Sequence, residues 1–438
     1  MQNARNFTKK LLINFYENSS YSNILLDKSL AESDLSVQDK KFVTNLFYGV
    51  IEHQITLDAV INKYSKKPAE KLSNEVLQLL RMAVCQMLFM DSVPDRAAVY
   101  ESVKLAKRMK NPALSGYVNG VLRSFLRDNK QIPVCKDKLE NLSVKYSCPK
   151  WLIEKWMNEY GEDLALDMLE SSIGIPPVTA RLNILKKSAD EIIKEIKETG
   201  IEITKREETD NCVEFSNIGA ISHSRVYRKG LFHIQDLSSQ ICCEILAPKP
   251  NETVLDVCSA PGGKAFTIAE IMNNQGRVIA CDLHENRVNL IKQGAKRLGL
   301  SIVESMVNDA CVFCDKIGEV DKVLCDVPCS GLGVIRRKPE IKYKNPKEFN
   351  NLQGVQKKIL EISSEYLKRG GVLVYSTCTL SKSENDDIID WFLENHPEFE
   401  KGDISGIKNI YDCEYKLTIS PKMFNSDGFF IAKLIKKR

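Results

Sequence analysis

The sequence predicts an α/β protein in three parts: an all-helical N-terminal domain, a small α/β domain and a doubly wound, mostly parallel sheet. Before about residue 140, apolar residues recur at three- and four-residue spacing, as in "DKKFVTNLFYGVIEHQITLDAVINKY". Strand and helix patterns then alternate to about residue 235, and apolar runs followed by loops and helices repeat to the end. We place the three domains at 1–142, 143–235 and 236–438.

The helical part continues through "NEVLQLLRMAVCQMLFM" and "AAVYESVKLAKRM", with Pro94 and Pro112 as breakers. The stretch from Lys104 to Lys130 contains seven basic residues and one acidic residue. Two interpretations stay open, a solvated helix face or a patch that contacts RNA phosphates. The residues of this candidate RNA-binding patch are Lys104, Lys107, Arg108, Arg123 and Arg127.

The middle part opens with two helical stretches before Pro176-Pro177, followed by a strand in "VTARLNI". A helix in "SADEIIKEIKETG" ends at Gly200, and further strands are expected near "IEIT" and "CVEFSN". The last part begins with the strand and helix of "TVLDVCSAPGGKAFTIAEIM" and closes with a strand in "DGFFIAKLIKK".

Composition indicates a soluble, cytoplasmic protein. Hydrophobic residues make up 43% and charged residues 27% of the chain, and the net charge of +4 identifies no partner. No apolar run approaches the roughly 20 residues of a membrane span, and no signal-peptide cleavage site is visible. Fourteen cysteines in such a protein are expected to be reduced thiols. The one C-x-x-C, Cys311 to Cys314, lacks the second pair or the histidines of a zinc site, so no metal is expected.

The loop "CSAPGGKA" after the first strand of the sheet excludes two phosphate-binding motifs. It contains no G-x-G-x-x-G, and a P-loop would need Gly at Cys258 and Ser or Thr at Ala265. A Rossmann dehydrogenase is therefore disfavoured.

Four carboxylates instead point to a cationic cofactor. They follow or close apolar strand-like runs, so they should gather at one rim of the sheet; they are Asp256, Asp282, Asp309 and Asp326. Such a rim repels a pyrophosphate but suits the sulfonium and amino groups of S-adenosylmethionine. We expect Asp256 to face the methionine end, Asp282 the ribose and Asp309 the adenine amino group, although any one of them alone could cap a helix.

Two cysteines differ from the others because each follows a predicted strand end: Cys329 in "CDVPCSG" and Cys378 in "VYSTCTL". A thiol needs help to ionise at neutral pH, from Lys264 or from a helix N-terminus after Ser330-Gly331. A methyl donor, a nucleophilic thiol and an acid together suit methylation of cytosine at carbon 5. The residues alone do not decide which thiol attacks.

Four segments resemble the motifs of RNA cytosine-5 methyltransferases: "CSAPGGK" (258–264), "DVPCSGLGVIRRKPEIK" (326–342), "YSTCTL" (375–380) and "SKSENDDII" (381–389). "FHIQDLSSQICCEIL" resembles the start of the family's catalytic domain, and "CPKWLIEKWMNEYG" its connecting domain. The helical N-terminus resembles the RNA-binding fold of the antitermination factor NusB. Over the whole chain, the order of these domains and motifs is similar to that of the RsmB (Sun) type of enzyme, which methylates one cytosine of 16S ribosomal RNA.

This resemblance implies a class I, Rossmann-like methyltransferase domain with a seven-stranded sheet. It implies that Cys378 attacks, that Cys329 acts in product release, that Asp326 binds ring nitrogen N3 and that Lys264 helps to hold substrate or cofactor. S-adenosylmethionine, leaving as S-adenosylhomocysteine, would be bound by Cys258, Ser259, Ala260, Pro261, Gly262, Gly263 and Lys264 with Asp282, Asp309 and Asp326.

The expected partner is 16S rRNA, naked or in an early assembly intermediate, and the expected state is a monomer without membrane or metal. Ser259 stands where the family often has Ala, a small change in a loop of small residues. Two other functions are compatible with parts of the sequence: methylation of tRNA or of another rRNA site, and a non-catalytic RNA-binding assembly factor. Intact Cys329, Cys378, Asp326 and Lys264 disfavour the latter.

Overall fold

The structure is a computed structural model that describes residues 3–18, 22–216, 224–405 and 413–438. The chain forms two compact units. The first contains Met1–Ile173 together with Ile335–Lys344, and the second contains Gly174–Val334 together with Asn345–Arg438.

The first unit is helical, as predicted. Its helices are α1 (Ala4–Asn18), α2 (Ser22–Ala31), α3 (Val37–Glu52), α4 (Gln54–Tyr64), α5 (Asn74–Phe89), α6 (Asp95–Ala106), α7 (Leu114–Arg127), α8 (Lys138–Tyr146), α9 (Lys150–Tyr160) and α10 (Glu162–Ser171). Helix α5 is buried on all sides along Leu79–Met87 and therefore forms the centre of the core. Pro94 precedes α6 and Pro112 lies between α6 and α7, where the sequence predicts breaks.

Ten residues from far along the chain complete this unit. We call Ile335–Lys344 the inserted segment. The ammonium of Lys342, fully buried, donates to the Glu52 carbonyl at 2.8 Å, and the Tyr343 hydroxyl donates to the same oxygen at 3.0 Å. Glu340 accepts from the Ser22 hydroxyl at 2.8 Å. Burial lowers the pKa of Lys342 to about 8.

The second unit begins with a small antiparallel sheet in the order β2-β3-β1-β4. Its elements are β1 (Val178–Leu182), α11 (Ala189–Lys197), β2 (Glu202–Lys205), β3 (Cys212–Ser216), α12 (Arg225–Arg228) and β4 (Phe232–Ile234). A capping box between Ser188 and Glu191 starts α11 and stabilises its first turn. The predicted α/β pattern of this region is confirmed, although Asn217 of "CVEFSN" lies outside the described residues.

The second unit continues with a large sheet flanked by helices. Its elements are α13 (Leu237–Leu246), β5 (Thr253–Asp256), α14 (Gly263–Ile271), β6 (Arg277–Asp282), α15 (Glu285–Leu298), β7 (Val303–Val307), β8 (Val320–Asp326), α16 (Leu352–Glu365), β9 (Leu367–Thr377), α17 (Asp386–Asn395), β10 (Phe399–Lys401), β11 (Lys416–Ile419), α18 (Pro421–Phe424) and β12 (Phe429–Lys436). The central strands are continuous apolar runs because both faces of the sheet are covered.

The strand order is β10-β12-β9-β8-β5-β6-β7. The expected seven-stranded, mostly parallel sheet is confirmed along this path, and the described residues add an eighth strand, β11, beside β12. Neighbours from β9 to β7 are parallel, whereas β12 runs antiparallel to β9. The carboxyl ends of β9, β8, β5, β6 and β7 therefore meet at one edge, which we call the carboxyl edge and where ligands of such sheets bind.

Candidate active site

The glycine-rich loop 258–264 connects the end of β5 to α14 at the carboxyl edge. The Ser259 amide donates to the Cys281 carbonyl at 2.7 Å, and the Gly262 amide donates to the Ser259 carbonyl at 2.7 Å. Gly262 has a φ of +106°, and a Cβ there would lie 2.4 Å from the Phe266 ring. Only glycine satisfies both constraints, so this backbone turn is closed tightly before the helix begins.

The four predicted carboxylates follow four adjacent strands. Asp326, Asp256 and Asp282 are the last residues of β8, β5 and β6, and Asp309 follows β7. Asp282 is buried, accepts from the His284 amide at 3.2 Å and lies 3.3 Å from the guanidinium of Arg287. Asp309 is exposed and accepts from the Cys311 amide at 2.9 Å, so it also stabilises a local turn.

Asp256 is fully buried, and among the described residues neither of its carboxyl oxygens has a hydrogen-bond partner. Burial raises its pKa to about 7. An unpaired carboxyl group in such a place is costly unless a donor or a cation meets it. The amino group of S-adenosylmethionine fits this requirement. Next to Asp282, the Leu283 side chain is 55% exposed and offers an apolar surface that sequence reasoning missed.

Lys264 and Asp326 form an ion pair at the same edge. The Lys264 ammonium lies 2.7 Å from Oδ2 of Asp326, while the Ser376 hydroxyl donates to Oδ1 at 2.9 Å. Burial acts to lower the pKa of Lys264, but the charge of Asp326, the hydrogen bond to it and the nearby thiols of Cys242 and Cys243 together outweigh burial, and the net pKa lies above the ordinary value. Lys264 therefore carries its proton, and the ring of Phe429, 5.1 Å away, stabilises the cation further.

The two singled-out thiols are in contact, with 3.3 Å between the sulfur atoms of Cys329 and Cys378. Both side chains are partly exposed. The hydrogen bond with Cys378, and then burial, hold the pKa of Cys329 well above its usual range. The prediction of a helix directly after Ser330-Gly331 is wrong. The chain there forms turns, and the next helical element is a short 3₁₀ helix at Pro339–Tyr343. Lys264 pairs with Asp326 instead of a thiol.

A buried polar network lies beneath the thiols. Glu384 accepts from the Ser330 amide at 2.9 Å, the Ser330 hydroxyl at 2.5 Å and the Gln356 side-chain amide at 3.0 Å. Sequence reasoning missed Glu384 and Gln356 as site residues, although Glu384 lies inside the quoted "SKSENDDII". Its position inside a segment that resembles a family motif could have identified Glu384 as a site residue. No feature of the sequence around Gln356 could have identified that residue.

The predicted basic patch lies in the first unit, on α6, α7 and the turn after α6. All five of its side chains are exposed. The Lys104 ammonium is 3.7 Å from Glu101, and Arg127 donates to the Ser124 hydroxyl at 2.9 Å. Tyr100, 64% exposed, adds an aromatic face that was not predicted, with the Lys104 ammonium 5.8 Å from its ring centre.

In the described part of the chain, no group of three or more His, Cys, Asp or Glu residues could hold a metal ion. All fourteen cysteines have free thiols. No helix in the described ranges is long and apolar enough to cross a membrane.

Three family models match this chain. The 16S rRNA methyltransferase RsmB/F model matches residues 243–435, the NusB family model residues 2–127, and the ferredoxin-like domain of RsmF/B-like methyltransferases residues 148–222. The middle sheet thus corresponds to a ferredoxin-like domain.

Full-length relatives agree with these matches. A probable ribosomal RNA small subunit methyltransferase B of Bacillus subtilis (strain 168) is 38% identical over 448 residues, 99% of each chain. One of Synechocystis sp. (strain PCC 6803) is 34% identical over 100% of both chains. The crystal structure of PH0851 superposes with a TM-score of 0.83 at 29% identity, over 100% of this chain and 99% of that one. The chain therefore belongs to the ribosomal RNA small subunit methyltransferase B family and is an S-adenosylmethionine-dependent rRNA methyltransferase.

Proposed function

We propose that this protein methylates carbon 5 of one specific cytosine in 16S rRNA through a covalent bond between Cys378 and carbon 6 of the base. The observation that carries the proposal is the contact of Cys329 with Cys378 at the carboxyl edge. Asp326, on the strand that leads to Cys329, forms the ion pair with Lys264. A nucleophile, an acidic group and a cofactor loop are thus contributed by adjacent strand ends.

S-adenosylmethionine supplies an electrophilic methyl group and leaves as S-adenosylhomocysteine. Its amino group would meet the unpaired carboxyl of Asp256, and its ribose hydroxyls would donate to Asp282. Asp309 would accept from the adenine amino group. The exposed side chain of Leu283 would pack against the adenine ring. The loop 258–264 would bring its backbone close to the cofactor because its small residues and glycines leave room.

Cys378 starts the reaction. Its thiolate adds to carbon 6, and the electron pair displaced from the carbon 5–carbon 6 double bond makes carbon 5 nucleophilic enough to take the methyl group. Asp326 binds at N3, and the Lys264 ammonium, 2.7 Å from Asp326, is the adjacent proton source for that nitrogen. The base must leave any stacked helix to reach these groups.

Cys329 finishes the reaction. Once deprotonated, it accepts the proton of carbon 5, the double bond re-forms and the carbon–sulfur bond to Cys378 breaks. The two sulfur atoms lie 3.3 Å apart, so both can act on neighbouring carbons of one ring.

The exposed basic residues of the helical unit would contact rRNA phosphates, and the exposed ring of Tyr100 offers a surface for an unpaired base. We propose a cytoplasmic monomer that acts on 16S rRNA, naked or in an early assembly intermediate. The functional division of the chain at 1–142, 143–235 and 236–438 is part of the same proposal.

Bisulfite sequencing tests the target. In a strain that lacks the gene, one cytosine of 16S rRNA should become sensitive to deamination, because 5-methylation protects it. The wild-type gene should restore protection and Cys378→Ala should not. An unchanged 16S profile, or a signal that disappears from tRNA, would contradict the proposed substrate.

Substitution of each thiol tests the mechanism. Cys329→Ala should accumulate a protein–RNA adduct that survives a denaturing gel in the presence of S-adenosylmethionine, because the adduct forms but is not resolved. Cys378→Ala should form none, and Cys311→Ala should behave like the wild type. If the adduct instead accumulates in Cys378→Ala, the two roles are exchanged.

Charge reversal tests the basic patch. The double variant Lys107→Glu and Arg123→Glu should bind rRNA fragments more weakly, and the slope of log affinity against log salt should flatten by about 1 for each phosphate that the variant no longer neutralises. Lys10→Glu with Lys71→Glu, exposed in the same unit, is the matched control. If the patch and control variants bind alike, the patch is only a solvated face.

The protonation of Asp256 is testable through stability. Its folded pKa of about 7 exceeds an unfolded value of about 3.9, so the folded state binds more protons between these values. The unfolding free energy of the cofactor-free protein should therefore fall, relative to Asp256→Asn, as pH rises from 4 to 7, by a total on the order of 4 kcal/mol. Urea unfolding at several pH values measures this, with the exposed Asp315→Asn as control. Parallel curves for wild type and Asp256→Asn would refute the assignment.

A further inference from the structure

We propose that Glu384 is a positioning residue that keeps the Cys329 side chain protonated and fixed beside Cys378, so that Cys378 carries the negative charge and attacks the base. This inference rests on the proposed covalent mechanism. It assigns the choice between two thiols to a buried carboxylate that touches neither the substrate nor the cofactor in that mechanism.

The contacts of Glu384 hold the chain on both sides of Cys329. After Cys329, the amide and the hydroxyl of Ser330 both donate to the Glu384 carboxylate, at 2.9 and 2.5 Å. Before Cys329, the Gln356 side-chain amide donates to the Pro328 carbonyl at 3.0 Å and to Glu384 at 3.0 Å. Glu384 is only 4% exposed, so water competes little for these bonds. The backbone that carries Cys329 is therefore anchored to a buried charge.

The chain around Cys378 is anchored differently. The Thr377 hydroxyl donates to the Asn385 side-chain oxygen at 2.6 Å, and the Asn385 side-chain nitrogen donates to the Thr379 carbonyl at 3.0 Å. A neutral amide thus contacts the chain on both sides of Cys378, whereas the Glu384 carboxylate is linked to that chain through the Ser330 hydroxyl, 2.7 Å from the hydroxyl of Thr379. The two consecutive residues therefore differ in charge: Glu384, which is negative, binds the residue after Cys329, and Asn385, which is neutral, binds the residues before and after Cys378.

This asymmetry decides where the shared proton lies. Two sulfur atoms 3.3 Å apart cannot both be ionised at low cost, so the pair loses one proton to solvent and keeps the other. The pKa of Cys329 lies well above its usual value because of its hydrogen bond to Cys378, its burial, the charge of Cys378 and the charge of Glu384, in that order. The carboxylate anchored beside Cys329 therefore favours retention of the proton on Cys329.

The same arrangement explains how Cys329 can act later as a base. When Cys378 bonds to carbon 6 it becomes a neutral thioether, and it no longer has its charge or its capacity as a strong hydrogen-bond acceptor. The charge and the hydrogen bond of Cys378 then no longer disfavour a thiolate at Cys329, so Cys329 can release its proton to solvent. Glu384 remains nearby, and a thiolate beside a carboxylate binds a proton strongly, which suits removal of the proton from carbon 5.

Alkylation of the free, full-length protein tests the inference without RNA or cofactor. The rates at which iodoacetamide modifies Cys329 and Cys378 are measured by peptide mass spectrometry from pH 6 to pH 10, since the thiolate is the reactive form. In the wild type, Cys378 should react at lower pH than Cys329. In Glu384→Gln, the rate at Cys329 near pH 7 should rise about tenfold or more, the effect of one pKa unit.

The matched control is Asp387→Asn, which removes the same charge from an exposed position three residues further along and should leave both rates unchanged. Glu384→Asp retains the charge and should retain the wild-type order of the two thiols. Thermal unfolding of each variant establishes that it is folded. If Glu384→Gln does not fold, the alkylation rates of Glu384→Asp are used instead. If Cys329 reacts at lower pH than Cys378 in Glu384→Asp, the inference is overturned.

An unchanged Cys329 rate in folded Glu384→Gln would also overturn it. So would equal rises at Cys329 and at the distant Cys311, because they would indicate general opening of the unit. The proposed function fails separately, if Cys329→Ala traps no adduct while the alkylation order is as expected.

Discussion

The parallel pairing of β8 with β9 is the interaction on which the candidate site depends. Their register sets Asp326 opposite Ser376, and the pair two residues earlier, Leu324 with Val374, is fully buried. Since side chains alternate between faces along a strand, a slip of one residue would turn the Asp326 carboxylate away from the Ser376 hydroxyl. Beyond the strand ends, the Gly333 amide donates to the Cys378 carbonyl at 3.0 Å, and a Cβ on Gly333 would lie 2.0 Å from the Gly428 carbonyl oxygen. Backbone contacts therefore bring the thiol-bearing loops together before any side-chain chemistry is considered.

The charges at the carboxyl edge are unbalanced in the cofactor-free protein. Asp326 has a cationic partner in Lys264, and Asp282 has one in Arg287, but Asp256 forms no ion pair among the described residues, and burial raises its pKa despite the charge of Lys264. Repulsion between close carboxylates is strong in a medium of low dielectric constant. A ligand that brings positive charge would relieve it and so stabilise the fold through binding. On electrostatic grounds, a cationic ligand should therefore bind at this edge more favourably than an anionic one.

Local patterns were sufficient for much of this architecture. The strands that end in Asp256, Asp282 and Asp326 could be predicted because each is an apolar run followed by an acidic residue. The glycine-rich loop could be predicted from its glycines and small residues. The network beneath Cys329 was not predictable, because Gln356 and Glu384 lie 28 residues apart and meet only through the packing of α16 against the turn before α17. The helix expected after Ser330-Gly331 failed for a related reason. Those residues lead into the inserted segment, whose conformation is set by contacts with helices far away in sequence.

The inserted segment also has a consequence for synthesis. The helical unit needs Lys342 and Tyr343 to occupy its interior and to satisfy the carbonyl of Glu52 at the end of α3, yet residues 174–334 are translated first. Domains commonly fold from the N-terminus as they emerge from the ribosome, at about 5–20 residues per second. At that rate, synthesis of residues 174–344 takes on the order of 10–30 seconds, so the inserted segment becomes available to the N-terminal helices only after that delay. The last step in maturation of the first unit is therefore coupled to production of most of the second, and a nascent chain stalled before residue 335 would display an unfinished helical core to chaperones and proteases.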